Sequence, residues 1–453
     1  MVAGLHKVSN LKGNLISKRD LEQVLIEYLK TIDVSLPRKI ARLMIEQLRT
    51  RNFILCDIGG NYYAFVHRTF LEYFCAWSYI WQLEAQAITI EDIKIKVFGQ
   101  HWQDESWHEV LRLIAGMILD PKNVGEIIEY LMEQDGEDEE FNNLFLAANC
   151  LGELKNFTLV QQISNKLKEK IKSLLYTICE LQNNHLLKSK IISKIASVWN
   201  KELETYSWMK DLITSNKSDE YVRSLAVQEL AKGWRDHPDI FPLLKSKAKY
   251  DLSFTVKSTA VMELAKGWRE HPDTFPLIKE KALSDHDEYV ILVAVEELAK
   301  GWHGHPDIFP LIKEKALSDH HEHVRSFAVE ELAKGWHEHP DTFPLIKEKA
   351  QSDDSKYVRS FAVRNLAKGW REHPEVFEIL LRCAEKDPFV RSDGNFGTFE
   401  PNPRRSALKA IMEYYPNHPK TKNLLEDRSQ NDPDEQVRNY AKQVLEKLTK
   451  NNT

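Results

Sequence analysis

The tetrapeptide Ala-Lys-Gly-Trp occurs five times at one fixed period, and this repetition constrains the fold more than any other feature. Consecutive tryptophans of the motif are 34 residues apart, and each is followed three residues later by a His-Pro pair. A constant period over several copies indicates one supersecondary unit stacked on itself. We therefore predict that more than half of the chain is a solenoid, a surface suited to binding another molecule. The tryptophans are Trp234, Trp268, Trp302, Trp336 and Trp370.

One copy, residues 285–318, shows what a single unit contains. Its apolar residues recur at helical spacing and predict an amphipathic helix over residues 288–300. Gly301 follows, where we expect a helix cap in the left-handed conformation. A second helix is predicted to start with Asp307 as its N-cap and Pro310 in its first turn. Two helices in each period predict an α-solenoid.

The first helix of the unit also carries a recognisable pattern. The string Tyr-Val-Arg-Ser-x-Ala-Val at residues 221–227 and 357–363 resembles HEAT and HEAT-like repeats. In that family an Asp before this helix and an Arg on it join neighbouring units. Arg223, Arg325 and Arg359 match that arginine, whereas Lys257 and Ile291 depart from it. We therefore expect an incomplete ladder of ion pairs between units.

The array extends beyond the clean copies. Residues 191–199 resemble a decayed copy upstream, and residues 407–419 align with residues 362–374 after an insertion of 11 residues. The insertion lies in a Gly/Pro-rich loop, residues 391–405. A helix at residues 436–448 then reads as a degenerate last repeat that caps the solenoid. The expected total is seven or eight units.

The constant residues of the repeat are interpreted as structural. We expect Trp to fill the space between units and His to cap a helix end or bond to the turn. The pair of residues after each Trp varies, as expected for a surface that recognises a partner, although a solvated polar turn would also explain it. The candidate partner-binding residues are Arg235, Arg269 and Arg371.

No metal site is predicted from the sequence. Equivalent residues of stacked helical units lie about 10 Å apart, whereas a metal needs His ligands within about 2.1 Å. One histidine per unit therefore cannot share an ion. The cluster His320-His321-x-His323 is a local candidate, and its preferred interpretation is a set of solvated residues at a helix start.

Bulk composition narrows the function classes. The net charge of −6 does not demand a nucleic-acid partner, although residues 1–51 carry an excess of positive charge. The five cysteines form no Cys-x-x-Cys pair, so neither a disulfide framework nor a zinc site is expected. No apolar run approaches the ~20 residues that cross a bilayer, and no signal peptide is apparent. We expect a cytoplasmic protein without membrane contact.

The N-terminal part has another pattern. Residues 19–31 and 38–49 predict amphipathic helices, and residues 53–66 predict a β-hairpin turning at Gly59-Gly60. Residues 67–83 predict an aromatic-rich helix. Two helices, a hairpin and a helix indicate a winged-helix domain, residues 1–83. The expected fold class is therefore mainly α: a solenoid of HEAT-like helix pairs, residues 187–453, preceded by this domain and a helical connector, residues 84–186.

A winged helix could bind DNA through basic residues on or beside its second helix. Nucleic-acid binding is nevertheless not expected, because that helix is largely committed to packing through Leu43, Met44, Ile45 and Leu48. The basic residues are Arg38, Lys39, Arg42, Arg49 and Arg51.

The connector is predicted to be helical and holds no catalytic constellation. Its predicted helices span residues 92–98, 107–119, 125–134, 140–154 and 159–179. The acidic run at residues 135–140 reads as a solvated loop. Cys150 and Cys179 lie in apolar helical stretches and are expected in the core.

Residues 63–77, YAFVHRTFLEYFCAW, resemble the end of the winged-helix part of NACHT-type signalling NTPases, the STAND class. The family's common form is F-x-H-x-[ST]-F-x-E-[FY]-F-A-A, from which Cys75 departs conservatively. Residues 107–119 resemble the helical segment that follows, so the likeness covers residues 15–120. HEAT-like arrays are common in the C-terminal part of such proteins. The resemblance implies that His67 contacts the phosphates of bound ADP and helps to hold the resting state.

The NTPase itself is missing from the sequence. No G-x-x-x-x-G-K-[ST] string occurs, and no β-α-β alternation could carry one. The chain therefore resembles the C-terminal portion of a NACHT protein, either as a gene fragment or as a split protein with a separate NTPase chain. It is not expected to be an enzyme. ADP or ATP is expected only where the missing domain is supplied.

The leading functional hypothesis is a sensor and protein-interaction module in signalling or defence. Its repeat array would bind a partner or trigger, and its winged helix would couple that event to an NTPase. Two alternatives remain open. The first is a stand-alone HEAT-like scaffold or a protein like the HEAT-like phycobilin lyases, and the second is a winged-helix DNA-binding regulator.

Overall fold

A computed structural model describes residues 15–450, apart from residues 53, 139, 156–157, 182–183, 216–217 and 393–399. The side chains of residues 178–181 and 450 are also outside the described set. The chain divides into two compact units, Met1–Thr205 and Tyr206–Thr453. This division is coarser than the three predicted segments, whose boundaries at residues 83 and 186 stay predictions.

The N-terminal unit begins with a small sheet and three helices. The two helices, the hairpin and the following helix that the sequence predicts are present, and the central strand of the antiparallel sheet is β3. The strand β1 was not predicted, because three residues are too short to show a period. The predicted hairpin start, Phe53, lies outside the described residues. The elements are β1 (Leu15–Ser17), α1 (Lys18–Thr31), α2 (Pro37–Thr50), β2 (Leu55–Gly59), β3 (Tyr62–Phe65) and α3 (Arg68–Glu84).

The hairpin turns where the two glycines were found in the sequence. Gly59 and Gly60 have φ of 82° and 58°, and Asn61 follows at 67°. Glycine reaches this left-handed region without steric cost, which explains the turn. The apolar faces of α1 and α2 pack together over the sheet through Leu25, Ile45 and their neighbours. The core residues are Leu21, Leu25, Leu29, Ala41, Ile45, Leu55 and Tyr63.

One packing prediction for α2 is wrong. Leu43 is 48% exposed instead of packed, because it lies on the side of the helix opposite the buried Ala41 and Ile45. Met44 and Leu48 do pack against the core, as predicted. The exposed side of α2 therefore carries both basic residues and an apolar one.

The rest of the unit is helical, close to the predicted bounds. Burial raises the pKa of the Cys150 thiol to about 12, in keeping with its predicted core position. The Cys179 side chain and Glu139, within the predicted acidic loop, are outside the described residues. The predicted helix at residues 92–98 is a π-helix, Ile93–Phe98, between two short α-helical segments. These elements are α4 (Ile90–Asp92), α5 (Gly99–His101), α6 (His108–Met117), α7 (Pro121–Glu133), α8 (Asn142–Gly152), α9 (Gln161–Leu181) and α10 (His185–Val198).

The second unit consists of stacked helix pairs, which confirms the predicted mainly α, solenoid fold class. We call the first helix of each pair the A helix and the second the B helix. The A helices are α12 (Glu220–Gly233), α14 (Phe254–Gly267), α16 (Glu288–Gly301), α18 (Glu322–Gly335), α20 (Lys356–Gly369) and α22 (Pro403–Tyr414). The B helices are α13 (Ile240–Tyr250), α15 (Thr274–Ser284), α17 (Ile308–Ser318), α19 (Thr342–Ser352), α21 (Val376–Lys386) and α23 (Thr421–Asn431). Helix α11 (Leu203–Thr214) precedes these pairs, and α24 (Glu435–Lys450) follows them.

The predicted left-handed cap at Gly301 is wrong. Gly301 is the last residue of α16, and Trp302 is the C-cap with φ −130° and ψ 33°. The Trp302 N–H still donates to the Leu298 carbonyl at 2.9 Å, so the helix ladder continues past the glycine. The glycine instead permits a close approach by the preceding repeat. A Cβ on Gly335, the equivalent residue one repeat later, would lie 3.2 Å from the His303 ring.

Asp307 occupies the predicted N-cap position of α17, but its side chain does not cap the helix. Its backbone is already helical, so its carboxylate points away from the first helical N–H groups. The Asp307 N–H donates to Nδ1 of His305 at 3.2 Å, and its carboxylate pairs with Lys279 at 2.6 Å. The histidine of the His-Pro pair thus supplies the acceptor at the start of the B helix.

Among the described residues, no helix combines the length and the apolar character that crossing a membrane requires.

Candidate functional site

A row of buried ion pairs, here called the inner ladder, runs along the array and joins the two helices of each repeat. In each pair a cation on one A helix bonds to the Asp that ends the B helix of the same repeat, 28 residues later. The Arg325 guanidinium donates to Asp353 at 3.0 and 3.2 Å and to the Asp319 carbonyl at 2.8 Å. The Arg325 side chain therefore stabilises both the turn before α18 and the turn after α19. The pairs are Arg223–Asp251, Lys257–Asp285, Arg325–Asp353, Arg359–Asp387 and Arg404–Asp432.

Two inner-ladder carboxylates, Asp285 and Asp353, have a lowered pKa despite their burial. Burial alone would raise the pKa of Asp353, but hydrogen bonds from Arg325, the Ser355 N–H and Lys349 together lower that pKa below its ordinary value. Asp285 shows the same balance, with Lys257 and Lys281 as donors. The ladder is thus a set of buried, paired charges, the arrangement that low-polarity surroundings require.

The sequence prediction of an incomplete ladder holds at one position and is wrong at another. Lys257 departs from arginine but still pairs with Asp285 at 3.0 Å, because an ammonium group supplies the same charge. Ile291 does break the ladder, and Asp319 has no cation from α16. Asp319 instead accepts from Lys315 of its own repeat at 2.9 Å. The ladder also continues past the insertion through Arg404, which the sequence reading missed.

The repeated histidines and tryptophans make ring contacts between neighbouring repeats. Each histidine of a His-Pro pair stacks on the B-helix aromatic residue of the preceding repeat, with ring centroids 3.7 Å apart for Phe309 and His339. Nδ1 of His339 accepts from the Asp341 N–H at 3.2 Å, which ties the ring to the next B helix. Trp336 lies 6.2 Å from the same Phe309 ring. These contacts recur from Tyr206–His237 to Phe377–His418.

Two predicted partner-binding residues, Arg235 and Arg269, face the next repeat. Arg235 donates to the Gly267 carbonyl, and its guanidinium lies 5.8 Å from the Trp268 ring centre. Arg269 lies 5.9 Å from the Trp302 ring centre. Both arginines therefore cover the end of the following A helix, a structural use that leaves their predicted role in partner binding as a prediction.

The third predicted residue, Arg371, is placed differently. Its side chain is exposed and lies near Glu372, while its carbonyl accepts from the Tyr415 hydroxyl at 2.6 Å. With Lys368 and Trp370 it lines a shallow surface depression. Arg371 thus keeps an exposed guanidinium beside a surface hollow, and its predicted role stays a prediction.

His67 is the N-cap residue of α3 and is exposed. Its side chain makes no capping hydrogen bond, and its ring lies 6.3 Å from that of Phe70. The neighbouring Arg68 side chain is engaged with Glu72 and the Ser106 carbonyl. An accessible imidazole at a helix N-terminus could donate to an anion. The phosphate contact that the family resemblance implies for His67 stays a prediction.

One side of the A helices, here called the A face, was not identified from the sequence. Three equivalent positions along these helices define it; the first varies along the array, and the second is Glu in the first four of these repeats and then changes. The first position holds Gln228, Met262, Glu296, Glu330, Arg364 and Lys409. The second holds Glu229, Glu263, Glu297, Glu331, Asn365 and Ala410, and the third holds Lys232, Lys266, Lys300, Lys334, Lys368 and Glu413.

The first repeats present recessed carboxylates on the A face. Glu263 and Glu297 are only 6% and 7% exposed. Burial raises the pKa of both carboxyl groups, and nearby lysines only partly offset that effect. Neither carboxylate has a hydrogen bond or ion pair among the described residues. Such groups would gain an interaction from a donor or cation on a partner.

The last repeats present cations instead. Arg405 and Lys409 lie 5.8 and 6.0 Å from the centre of the Tyr440 ring, and Arg364 is near enough to Lys409 to interact with its charge. Burial is the main cause that lowers the pKa of Lys409, and the positive charges of Arg405 and Arg364 lower it further. Within the described part of the chain, none of the three cations forms an ion pair. At the first two positions of the A face taken together, carboxylates therefore give way to cations between α18 and α20, while the third position holds a lysine as far as α20.

Comparisons with known proteins support the repeat assignment. A family model of HEAT repeats matches residues 209–299, 276–367 and 309–393, so this part of the chain consists of HEAT repeats. The matched residues do not include residues 63–77, whose resemblance to NACHT-type NTPases stays a prediction. No curated protein sequence matches the chain.

Solved structures provide distant likenesses. YibA of E. coli is 17% identical over 62% of this chain and 96% of its own, with a TM-score of 0.37. Kap121p, solved bound to RanGTP, is 12% identical over 91% of this chain and 51% of its own, with a TM-score of 0.38. Yeast importin-β, Kap95p, is 12% identical over 91% of this chain and 64% of its own, with a TM-score of 0.35.

Proposed function

We propose that the repeat array is a non-catalytic scaffold that binds a protein partner along its A face. The other repeated polar groups are largely engaged in contacts within or between repeats: the inner ladder, the histidine stacks and the lysine pairs between B helices. The A face differs in part: Glu263, Glu297, Arg364 and Lys409 form no ion pair among the described residues, whereas Glu229, Glu296, Glu330 and Glu331 pair with lysines of their own helices. A surface with unsatisfied charges on a rigid array is suited to a partner that supplies them.

The charge distribution favours a polypeptide over a nucleic acid. A phosphate backbone would be attracted to the cations around Tyr440 but repelled by the recessed carboxylates of the earlier repeats. A polypeptide can carry acidic residues at one end and basic residues at the other. The change of sign at the first two A-face positions, between α18 and α20, is the single observation that carries this proposal.

Site-specific photo-cross-linking tests the proposal. A photo-reactive residue at position 364, on the A face, is compared with one at position 382, an exposed arginine of the B helix α21. We expect a protein adduct from position 364 that survives nuclease treatment and is weak or absent from position 382. Equal adducts from both positions, or adducts removed by nuclease, would contradict the proposal.

A charge reversal then measures the contribution of the cations. Arg364→Glu combined with Lys409→Glu should weaken binding of the cross-linked partner about tenfold or more, and the effect should shrink as salt is added. Arg382→Glu is the matched control, because it makes a similar charge change on a B helix. A partner that binds both variants alike does not use the A face.

For the N-terminal unit we propose coupling to a nucleotide-binding NTPase domain on another chain. This finer proposal is supported by the resemblance of residues 63–77 to NACHT-type proteins. It is also supported by the order strand, helix, helix, hairpin, helix, and by an exposed aromatic row on α3. Tyr73, Trp77 and Trp81 follow one another at intervals of four residues and are 46%, 50% and 54% exposed. Exposed aromatic residues at helical spacing are typical of protein interfaces.

Reconstitution with an NTPase encoded beside this gene tests the coupling. His67→Ala should lower the retention of ADP by the reconstituted complex, whereas His286→Ala, in the repeat array, should leave it unchanged. Trp77→Ala should weaken assembly itself. If no such NTPase is encoded there and none co-purifies, the coupling proposal fails, while the scaffold proposal for the A face stands or falls on its own test.

A further inference from the structure

The junction between α16 and α18 departs from the repeat at two positions at once. Ile291 replaces the cation of the inner ladder, so Asp319 loses its partner from the A helix of its own repeat. His321 replaces the residue that caps the A helix in other repeats: Ser253 and Asp287 accept a backbone N–H there, whereas His321 does not. Each change removes a stabilising interaction, and both occur beside the same carboxylate. Departures from a local rule that coincide in space often mark a functional site.

The side chains at this junction place three potential ligand atoms together. Nδ1 of His321 lies 3.2 Å from Oδ1 of Asp319, and Nδ1 of His320 lies 3.9 Å from the same oxygen. One ligand atom from each of the three residues lies within 4.8 Å of the others. Two bonds of about 2.1 Å at a tetrahedral angle put ligand atoms about 3.4 Å apart. The two N–O distances, 3.2 and 3.9 Å, bracket that separation.

We propose that Asp319, His320 and His321 bind a divalent transition-metal ion such as Zn²⁺. Two imidazoles and a carboxylate are ligands that zinc and its neighbours accept, and the remaining coordination position faces solvent or a partner. The sequence prediction of no metal site is replaced by this proposal, because the sequence did not show that the two rings approach one carboxylate.

The surroundings of Asp319 suit a metal ligand. Lys315 donates to Oδ2 at 2.9 Å and the His321 N–H donates to Oδ1 at 3.0 Å, which hold the carboxylate in place. Such outer contacts orient metal-binding carboxylates. In the following repeat the equivalent Asp353 already pairs with the Arg325 guanidinium, and in the preceding repeat Asp285 pairs with Lys257. The isoleucine at position 291 is what leaves Asp319 available.

Metal binding to tag-free protein tests the proposal. After chelation and dialysis, the protein is titrated with Zn²⁺ by calorimetry and with Co²⁺ by visible absorption, and its thermal unfolding is followed with each ion. We expect one equivalent to bind, a rise in Tm, and Co²⁺ bands typical of nitrogen and oxygen ligands. His320→Asn and His321→Ser should each weaken binding at least about tenfold.

Two further variants use the repeat itself as the control. Ile291→Arg restores the ladder residue, so its guanidinium should compete for Asp319 and abolish metal binding while the protein stays folded. His286→Asn removes the histidine one repeat before His320, beside an Asp that Lys257 already occupies, and should bind metal like the unaltered chain.

The outcomes separate a site from nonspecific binding. His321→Ser introduces the residue that caps the A helix of the following repeat, Ser355, so its folding, checked by circular dichroism, should be intact. If the unaltered chain binds no Zn²⁺ or Co²⁺, or if it binds them equally after His320→Asn and His321→Ser, the proposal is overturned. Equal loss in His286→Asn would also overturn it, because the binding would then belong to surface histidines in general.

Discussion

The two junctions on either side of α18 are built from equivalent helices but differ in their side-chain contacts. Between α18 and α20, Arg325 joins Asp353, and Ser355 caps the next A helix. Between α16 and α18, Ile291 faces the equivalent Asp319, and His321 leaves α18 without a side-chain cap. Repeats thus act as internal controls, because a residue that departs from its equivalents is visible without any homologue. The same logic shows that Lys257 is a conservative change and Ile291 is not.

The variant with the largest expected effect on this comparison removes the cation from an intact inner-ladder pair. Arg359→Ala should lower the free energy of unfolding by about 3 kcal/mol, since it leaves the Asp387 carboxylate buried and uncompensated. Arg359→Lys reproduces the pair that Lys257 makes and should retain most of that stability. Urea unfolding followed by circular dichroism measures both variants. If Arg359→Lys loses as much stability as Arg359→Ala, a positive charge alone does not stabilise the junction. The two hydrogen bonds from the guanidinium to Asp387 are then required.

Acid should weaken the intact junction that Arg325 and Asp353 form. The pKa of Asp353 is lowered in the folded chain, because its hydrogen bonds outweigh burial. The unfolded chain therefore binds the proton more tightly, so this contribution is complete well above the unfolded pKa of about 3.9 and is lost as pH falls through the folded pKa. Urea unfolding between pH 6 and about pH 3 should show this fall.

A matched variant isolates the contribution of this one carboxylate. Asp353→Asn should be less stable at neutral pH and less sensitive to acid, because the group that titrates is gone. Its stability should then approach that of the unaltered chain as pH falls. An unchanged pH profile in Asp353→Asn would show that other carboxylates govern acid unfolding.

The histidine stacks should make the next largest contribution to the stability of the regular junctions. His339→Ala removes both the ring on Phe309 and the Nδ1 acceptor for the Asp341 N–H, and should cost about 1.5 kcal/mol. His339→Asn keeps an acceptor at that position and should recover part of the loss. Thermal and urea unfolding compare the two variants. A loss in His339→Asn equal to that in His339→Ala would assign the whole effect to the ring.

Periodicity predicted much of the fold because each helix places its apolar residues at a spacing that sequence displays directly. The bounds of α16 and α17, the hairpin at Gly59-Gly60 and the helix after His67 follow from such local signals. The short strand β1 has no period of its own and depends on pairing with β3. The cap at Gly301 was wrong because glycine also serves close packing, which involves a residue of another repeat.

The candidate surface was harder to predict for a related reason. Arg235 and Arg269 stand out in the sequence, yet their side chains cover the next helix, which only packing decides. The cations Arg364 and Lys409 occupy equivalent positions, but the insertion between them makes their spacing longer than the 34-residue period. Aligning the repeats by position would have revealed the change of sign. The lack of partners for those cations required the coordinates.

The smallest expected effect belongs to a second row of ion pairs, between B helices. Lys279 pairs with Asp307 at 2.6 Å, and the equivalent pair one repeat later is Lys313–Asp341. A hydrogen bond from Lys279 lowers the pKa of the Asp307 carboxyl, but both groups are open to solvent, which screens their attraction. Lys279→Ala should therefore leave urea unfolding unchanged within error, in contrast to Arg359→Ala. A loss comparable to that of Arg359→Ala would mean that burial is not what separates the two rows.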